Sequence, residues 1–167
     1  QGAANAGGGG LAMHMLSSHN SSMDFCTISG NVASVGGGIA TDWIGTPKTA
    51  DLALKNSIVA ANTATTAPDI SGAITTEGYN LVQRFSDALI NDPTKKHQTD
   101  LSGETLAHLG IDTHLSNNGG PTPTLALQAD SPALNVIPAT ACDVPTDQRG
   151  VKRPQHTACD IGAYEYS

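Results

Sequence analysis

Four charged side chains near the C-terminus hold the types and spacing that could do chemistry. Asp147, Arg149, Arg153 and Asp160 fall within one short stretch, TDQRGVKRPQHTACD. Two carboxylates beside two guanidinium groups can bind an anion or move a proton. The same groups can instead pin irregular backbone through fork-shaped hydrogen bonds. No nucleophile accompanies them, so they are read as structural and no catalytic residue is assigned. Cys142 and Cys159 flank the two Arg-containing turns of this stretch. A bridge between them would close a loop of about 15 to 20 residues, worth on the order of 3 kcal/mol. Two free thiols in a reducing compartment are the alternative; a bridge implies export. Cys26 lies far away and is expected to be a small buried ladder residue.

Other chemistries find less support. The six histidines, His14, His19, His97, His108, His114 and His156, show no HxH or HExxH spacing. Asp143, Asp147 and Asp160 leave Ca²⁺ a minor possibility, without a DxDxDG loop to carry it. The run GGGG at 7–10 lacks the GK[ST] ending of a phosphate loop, so no cofactor site is assigned. Lys and Arg total only 8 against a net charge of −7, which argues against a nucleic-acid groove. A polysaccharide lyase or hydrolase needs carboxylates or a basic residue aligned along a groove. Asp24, Asp42, Lys55 and Asp69 are scattered, and Trp43, Tyr79 and Phe85 do not line up.

The elements that must position these residues are legible as repeats. Only 38% of the 167 residues are hydrophobic and 4% aromatic, with 18 glycines, which suits thin, stacked β-structure better than a core of large side chains. CTISGNVASVGGGIA (26–40) matches SIVAANTATTAPDIS (57–71) at an offset of 31, setting Ile28 on Val59, Asn31 on Asn62, Ala33 on Ala64 and Ile39 on Ile70. Gly7–Met13 matches at an offset of 28, with Leu11 on Ile39. Near-equal offsets are the mark of a solenoid. The expected fold is all-β: a fragment of a right-handed parallel β-helix with an irregular C-terminal cap. Coils are expected over 1–82, a loop excursion with a helical turn near Glu104–Leu109 over 83–116, and a final coil and cap over 117–167. Phe25–Ser29, Leu52–Ala60, Ala73–Thr76 and Tyr79–Val82 read as strands, with a turn at Glu77-Gly78. Gly36–Gly38 marks a tight corner. Asn31 and Asn62 sit where Asn tolerates the left-handed region, and their amides are placed to form a ladder. The charged stretch around Lys95, Lys96, His97 and Asp100, after an Asn91-Asp92-Pro93 turn signal, is the first place expected to touch a partner.

NGGPTPTLAL, SPALN, TDQRGVKRP and CDIGAYEY, in that order, resemble the C-terminal region of the choice-of-anchor Q family of bacterial surface proteins, and GNVASVGGGIA resembles that family's β-helix repeats. The motifs span nearly the whole chain. The resemblance implies an exported, surface-displayed parallel β-helix. Two departures stand out: Asn135 follows the SPA-aliphatic motif where the family usually has an acidic residue, and no sorting signal or anchoring helix precedes Ser167. No apolar run approaches the roughly 18 to 20 residues of a membrane span. The expected function is that of a non-enzymatic, extracellular or cell-surface module, structural or adhesin-like, with neighbouring copies, matrix components or glycans as partners. An open first coil at Gln1 would let copies stack head to tail into a fibre. A carbohydrate-active β-helix protein is the alternative.

Overall fold

The computed structural model describes residues 3–4, 8–15, 21–43, 52–85, 88–91, 96–103 and 105–167. It is all-β with parallel sheets and almost no helix. The sequence repeats set the strands. The first contributes Ala3–Ala4 (β1) and Leu11–Met15 (β2). The second carries Ser21–Asp24 (β3), Thr27–Ser29 (β4), Val32–Val35 (β5) and Ile39–Trp43 (β6). The third carries Leu52–Lys55 (β7), Ile58–Ala60 (β8), Thr63–Thr66 (β9) and Ile70–Gly78 (β10). Leu81–Val82 (β11), Ala88–Asn91 (β12) and Leu101–Ser102 (β13) follow, then a short antiparallel pair, Ile137–Pro138 (β14) and Ala158–Cys159 (β15).

Strands one repeat apart pair in parallel. They form a three-stranded sheet, β1-β5-β9, a six-stranded one, β2-β6-β10-β7-β3 with β12 on β10, and a four-stranded one, β13-β11-β8-β4. The registers are those of the sequence alignment: Ile28 lies on Val59, Ala33 on Ala64, Ile39 on Ile70 and Leu11 on Ile39. Inside, Ile39, Leu52, Leu54, Val59, Ile70, Ile74 and Val82 make one aliphatic core.

Several local expectations shift. Leu52–Ala60 is two strands, because Asn56 takes φ +50 and turns the chain between them. Ala73–Thr76 belongs to the nine-residue β10, which pairs with β6, β12 and β7 in succession, so the turn moves on to Tyr79 at φ +54. Gly30 and Ala61, not Asn31 and Asn62, hold the left-handed conformation at the corners, with φ +70 and +57. The stretch expected as an excursion carries β12 and β13, which extend two sheets, and 3-10 turns at Lys96–Thr99 and Leu106–His108. Asp92, Pro93, Lys95 and Glu104 lie outside the described residues.

The glycine corner has a packing cause. A Cβ on Gly38 would stand 2.6 Å from the Asp69 carbonyl of the next repeat. One repeat further on, Gly36-Gly37-Gly38 is replaced by Ala67-Pro68-Asp69, where larger residues are accommodated. Asp69 there closes the asparagine ladder: Asn31 N–H donates to Asn62 Oδ1 (3.1 Å), and the Asn62 amide donates to Asp69 Oδ1 (3.1 Å). A second ladder runs Cys26 N–H to Ser57 Oγ (3.1 Å), Ser57 N–H to Asn80 Oδ1 (3.0 Å) and Asn80 N–H to Asp100 Oδ1 (2.8 Å). In both, a corner N–H that no strand partner reaches finds its acceptor one repeat away.

The end piece lies along the flank of the four-stranded sheet. Alternate residues of that sheet face outward, and Ile58, Ala60 and Leu81, with Phe25, join Leu109, Ile111, Leu127, Ala133, Ile137 and Ile161 in a second core. Because Phe25, Ile58 and Leu81 come from successive repeats, this apolar seam spans several of them.

Candidate functional site

The charged residues singled out in the sequence sit inside this end piece, and each finds its partners there. The Asp147 carboxylate accepts the turn N–H groups of Arg149 (2.8 Å) and Val151 (3.0 Å) on Oδ1, and Arg149 Nε (2.9 Å) and the distant Glu165 N–H (2.9 Å) on Oδ2. Arg149 also donates to the Glu165 carbonyl and lies 3.5 Å over the Tyr164 ring, a stacked cation–π contact. Arg153 is fully buried. Its Nη1 donates to Glu165 Oε2 (2.7 Å) and the Asp160 carbonyl (3.0 Å), its Nη2 to the Gly162 carbonyl (2.6 Å). Its plane lies 4.4 Å over Phe25, which ties the network to the repeat body.

Asp160 does not pair with an arginine side chain. Its carboxylate takes the N–H groups of Asn135 and Tyr166, both at 2.7 Å. Asn135 therefore contributes backbone; it stands at φ +55, a conformation Asn adopts more readily than most residues. Glu165 was not singled out in the sequence, yet it is the partner of Arg153 and also accepts the Gln155 and Asp160 N–H groups at 3.0 and 3.1 Å. The CDIGAYEY motif contains it, but nothing in its spacing distinguishes it from a surface glutamate.

Burial pushes the Asp160 carboxyl above its ordinary value despite the two N–H donors. Burial acts the same way on Asp147, but the Glu165 N–H, the Arg149 guanidinium and two more backbone N–H groups outweigh it and hold that carboxyl low. The result is a closed strut. None of these five residues lines the cleft beside β4 or either of two smaller clefts.

Cys142 and Cys159 form a disulfide, Cα to Cα 6.1 Å, which fastens the Ala141–Val144 loop to β15. Asp143 does not join Asp147 and Asp160; it bonds Lys55 Nζ at 2.6 Å, and the same ammonium lies 3.5 Å from Asp24. Among the described residues, no three His, Cys, Asp or Glu side chains converge as metal ligands. Cys26 is half-buried rather than fully buried; burial raises its thiol pKa, which disfavours the thiolate. His108 and His114 are exposed, each within reach of a threonine hydroxyl. His19 lies outside the described residues, and the side chains of His14, Asp42, Trp43, Lys96 and His97 do as well.

A cleft of about 640 Å³ opens between β4 and the end piece, lined by Thr27, Ser29, Asn31, His114, Leu115 and Gln148 among others. No family model, curated protein or solved structure matches the chain. The motifs themselves therefore carry the whole of the family resemblance. Among the described residues, no helix is long and apolar enough to cross a membrane.

Proposed function

We propose that the chain is a right-handed parallel β-helix of the choice-of-anchor Q kind, and that it works outside the cell as a non-enzymatic structural or adhesin-like module. The observation that carries the reading is the register. Strands 31 residues apart pair in parallel in all three large sheets, and corner side chains bond their counterparts at the same spacing. Each repeat presents its own edge as the template for the next, so the product is a stiff stack whose surface is its working part. Two further observations favour a structural role over catalysis. The buried charges of the end piece are consumed in holding it, and among the described residues His114 is the single titratable one lining the cleft beside β4. Glycoside hydrolysis generally needs two opposed carboxylates.

The disulfide supports an oxidising location. Fractionation of the source cells, with alkylation before and after reduction, tests this. The expected result is protein in the surface or secreted fraction, gaining two alkylation sites only on reduction. A cytosolic pool with both thiols open to alkylation at once would overturn the reading.

A further inference from the structure

We infer that a slot beside β9 receives an extended, acidic peptide segment of a partner protein, which joins the sheet as an added strand. The inference deepens the adhesin-like reading above by naming a contact, and rests on that reading for the partner being another molecule outside the cell. The slot is internal to the chain. Ile28, Val59 and Val82 lie in one register, and Thr41, Gly72 and Ala88 in another. Thr41 follows Ile28 by 13 positions and Gly72 follows Val59 by 13, but Ala88 follows Val82 by only 6. The fourth repeat therefore passes from the β8 sheet to the β10 sheet without laying a strand on β9. β8 and β10 are covered by β11 and β12, while β9 stays at the edge of its sheet.

The edge is open for pairing. Thr63 N–H donates back to the Asn31 carbonyl at 2.8 Å, and alternation turns the N–H and carbonyl of Ala64 the other way, into the slot. β9 reads Thr-Ala-Thr-Thr, with its three threonines exposed, and carries neither the charge nor the proline that commonly blunts an edge.

The corners decide what can enter. Gly37 and Gly38 admit the next repeat because they lack a Cβ, which would stand 2.5 and 2.6 Å from its carbonyl groups. Pro68 and Asp69 take those positions one repeat on, and Gln83 Oε1 already accepts the Ala61 N–H at 2.9 Å. A further coil, from this chain or a second copy, cannot round these corners. A straight segment that crosses β9 and leaves at both ends can, which is the geometry of β-strand addition.

The walls set its side chains. The slot, about 250 Å³, is lined by Thr63, Ala64, Gln83, Arg84 and Leu106 among others. Arg84 is the exposed charged residue among those described there; Asp69 is 1% exposed and turned to the Asn62 amide. On a chain of net charge −7, that cation selects an acidic segment. Leu106, 66% exposed, offers cover to an apolar neighbour.

The test titrates the full chain into a fluorescein-labelled peptide, Glu-Thr-Val-Thr-Val-Glu, read by anisotropy. Saturable binding that weakens with salt is expected. The counterpart Lys-Thr-Val-Thr-Val-Lys should bind roughly fivefold more weakly. Ala64→Pro removes the outward N–H at an edge position where proline is tolerated, and should weaken binding about tenfold. Leu106→Ser should do so by a similar factor, about tenfold. Arg84→Glu should reverse the preference between the two peptides, a result that a misfolded variant cannot give. On binding, amide exchange should slow at Ala64 and stay unchanged at Thr63. Absence of saturation with both peptides, or equal affinity for the two, would overturn the inference. So would an oligogalacturonate that displaces the probe and binds Ala64→Pro as well as wild type, which assigns the slot to an anionic glycan. The titration fails or succeeds apart from the location: no binding by a chain found at the cell surface removes the slot alone, and binding by a cytosolic chain keeps the slot and removes the surface reading.

Discussion

The asparagine corner and the arginine network answer the same physical demand in two regions of the molecule. Both hold backbone that has left the strand ladders, and both do it with buried polar side chains. At the corner Asn31 finds its counterpart Asn62 and Cys26 finds Ser57, one repeat on, a pattern that recurs until Asp69 closes the asparagine ladder. In the end piece nothing recurs. Arg153, Glu165, Asp147 and Asp160 each bind groups that occur once, so the assembly is fixed in size and has one solution. A repeated device spreads its stabilisation thinly over many sites, whereas a unique buried ion pair concentrates it. The two regions should therefore break differently.

The largest effect is expected at Arg153. Arg153→Ala leaves the Glu165 carboxylate buried without its cation and should destabilise the protein by about 3–5 kcal/mol, read from denaturant midpoints. Arg153→Met with Glu165→Gln removes both charges and should recover a good part of that loss, because the pair's own desolvation disappears with it. If the double variant is as unstable as Arg153→Ala, the hydrogen bonds to the Asp160 and Gly162 carbonyls outweigh the charge pair. The contrast drawn between the two regions then loses its electrostatic basis.

Opening the disulfide comes next. Cys142→Ala with Cys159→Ala frees a 17-residue separation and should cost about 3 kcal/mol. Amide exchange should rise in Ala133–Tyr166 before it rises in β7 and β8. Uniform acceleration across both would show that the end piece and the sheets unfold as one unit.

These two sites also mark where the sequence was readable. The repeat register could be read residue by residue because a parallel stack sets like on like, so self-similarity in the chain is contact in the molecule. The disulfide could be framed from two cysteines flanking one motif. Glu165 could not be found, because a partner used once leaves no period to detect. The left-handed corner positions were misplaced by one residue for a related reason. Asn is a familiar left-handed residue, but Gly30 and Ala61 turn the chain, and the asparagines are needed for their amides. Nor did composition reveal β12 and β13. They pair through backbone register with β10 and β11, which asks little of their side chains.

A middle-sized effect is expected in the repeat body. Asn62→Ala removes the acceptor of the Asn31 N–H and the side-chain donor to the buried Asp69 carboxyl, which keeps only backbone N–H donors. A loss of about 1–3 kcal/mol should appear as a lower melting temperature. If the ladder really distributes its load, this loss stays below that at Arg153. An equal loss would mean that a single rung can matter as much as the unique pair.

The pH response sharpens the contrast in another way. The Asp147 carboxyl is held low in the folded chain, so it contributes stability above the ordinary carboxylate range near pH 4, and that contribution fades as pH falls through the folded value. Asp147→Asn should thus trail the wild type by about 1–3 kcal/mol at neutral pH, with the gap narrowing below about pH 4. Asp160 works in the opposite direction. Its carboxyl is raised by burial, so its contribution declines as pH rises from about 4 through the folded value. A denaturation series from pH 3 to 7 on the wild type and Asp147→Asn reads the first term by difference. A gap that stays constant with pH would show that the charge on Asp147 is incidental to its turn.

The smallest effect should come from the link between the two regions. Lys55 in β7 reaches Asp143 in the end piece at 2.6 Å, but its side chain is 28% exposed and that of Asp143 is 60% exposed. Water and salt screen such a pair, so Lys55→Ala should cost only about 0–1 kcal/mol, and less still as ionic strength rises. Burial lowers the Lys55 pKa, but the hydrogen bond to Asp143 and both nearby carboxylates more than offset it, and the net shift is upward. The contribution is therefore present at neutral pH and is lost only as pH rises past the ordinary lysine range into the folded value. The apolar seam of Phe25, Ile58 and Leu81 against Ile137 and Ile161 has no such exposure. Ile58→Ala should cost about 2–5 kcal/mol with no salt dependence. Comparing the two variants across a salt series decides what joins the end piece to the stack: a larger, salt-sensitive loss at Lys55 would put the ion pair in charge of docking, and the opposite order assigns that to the apolar seam.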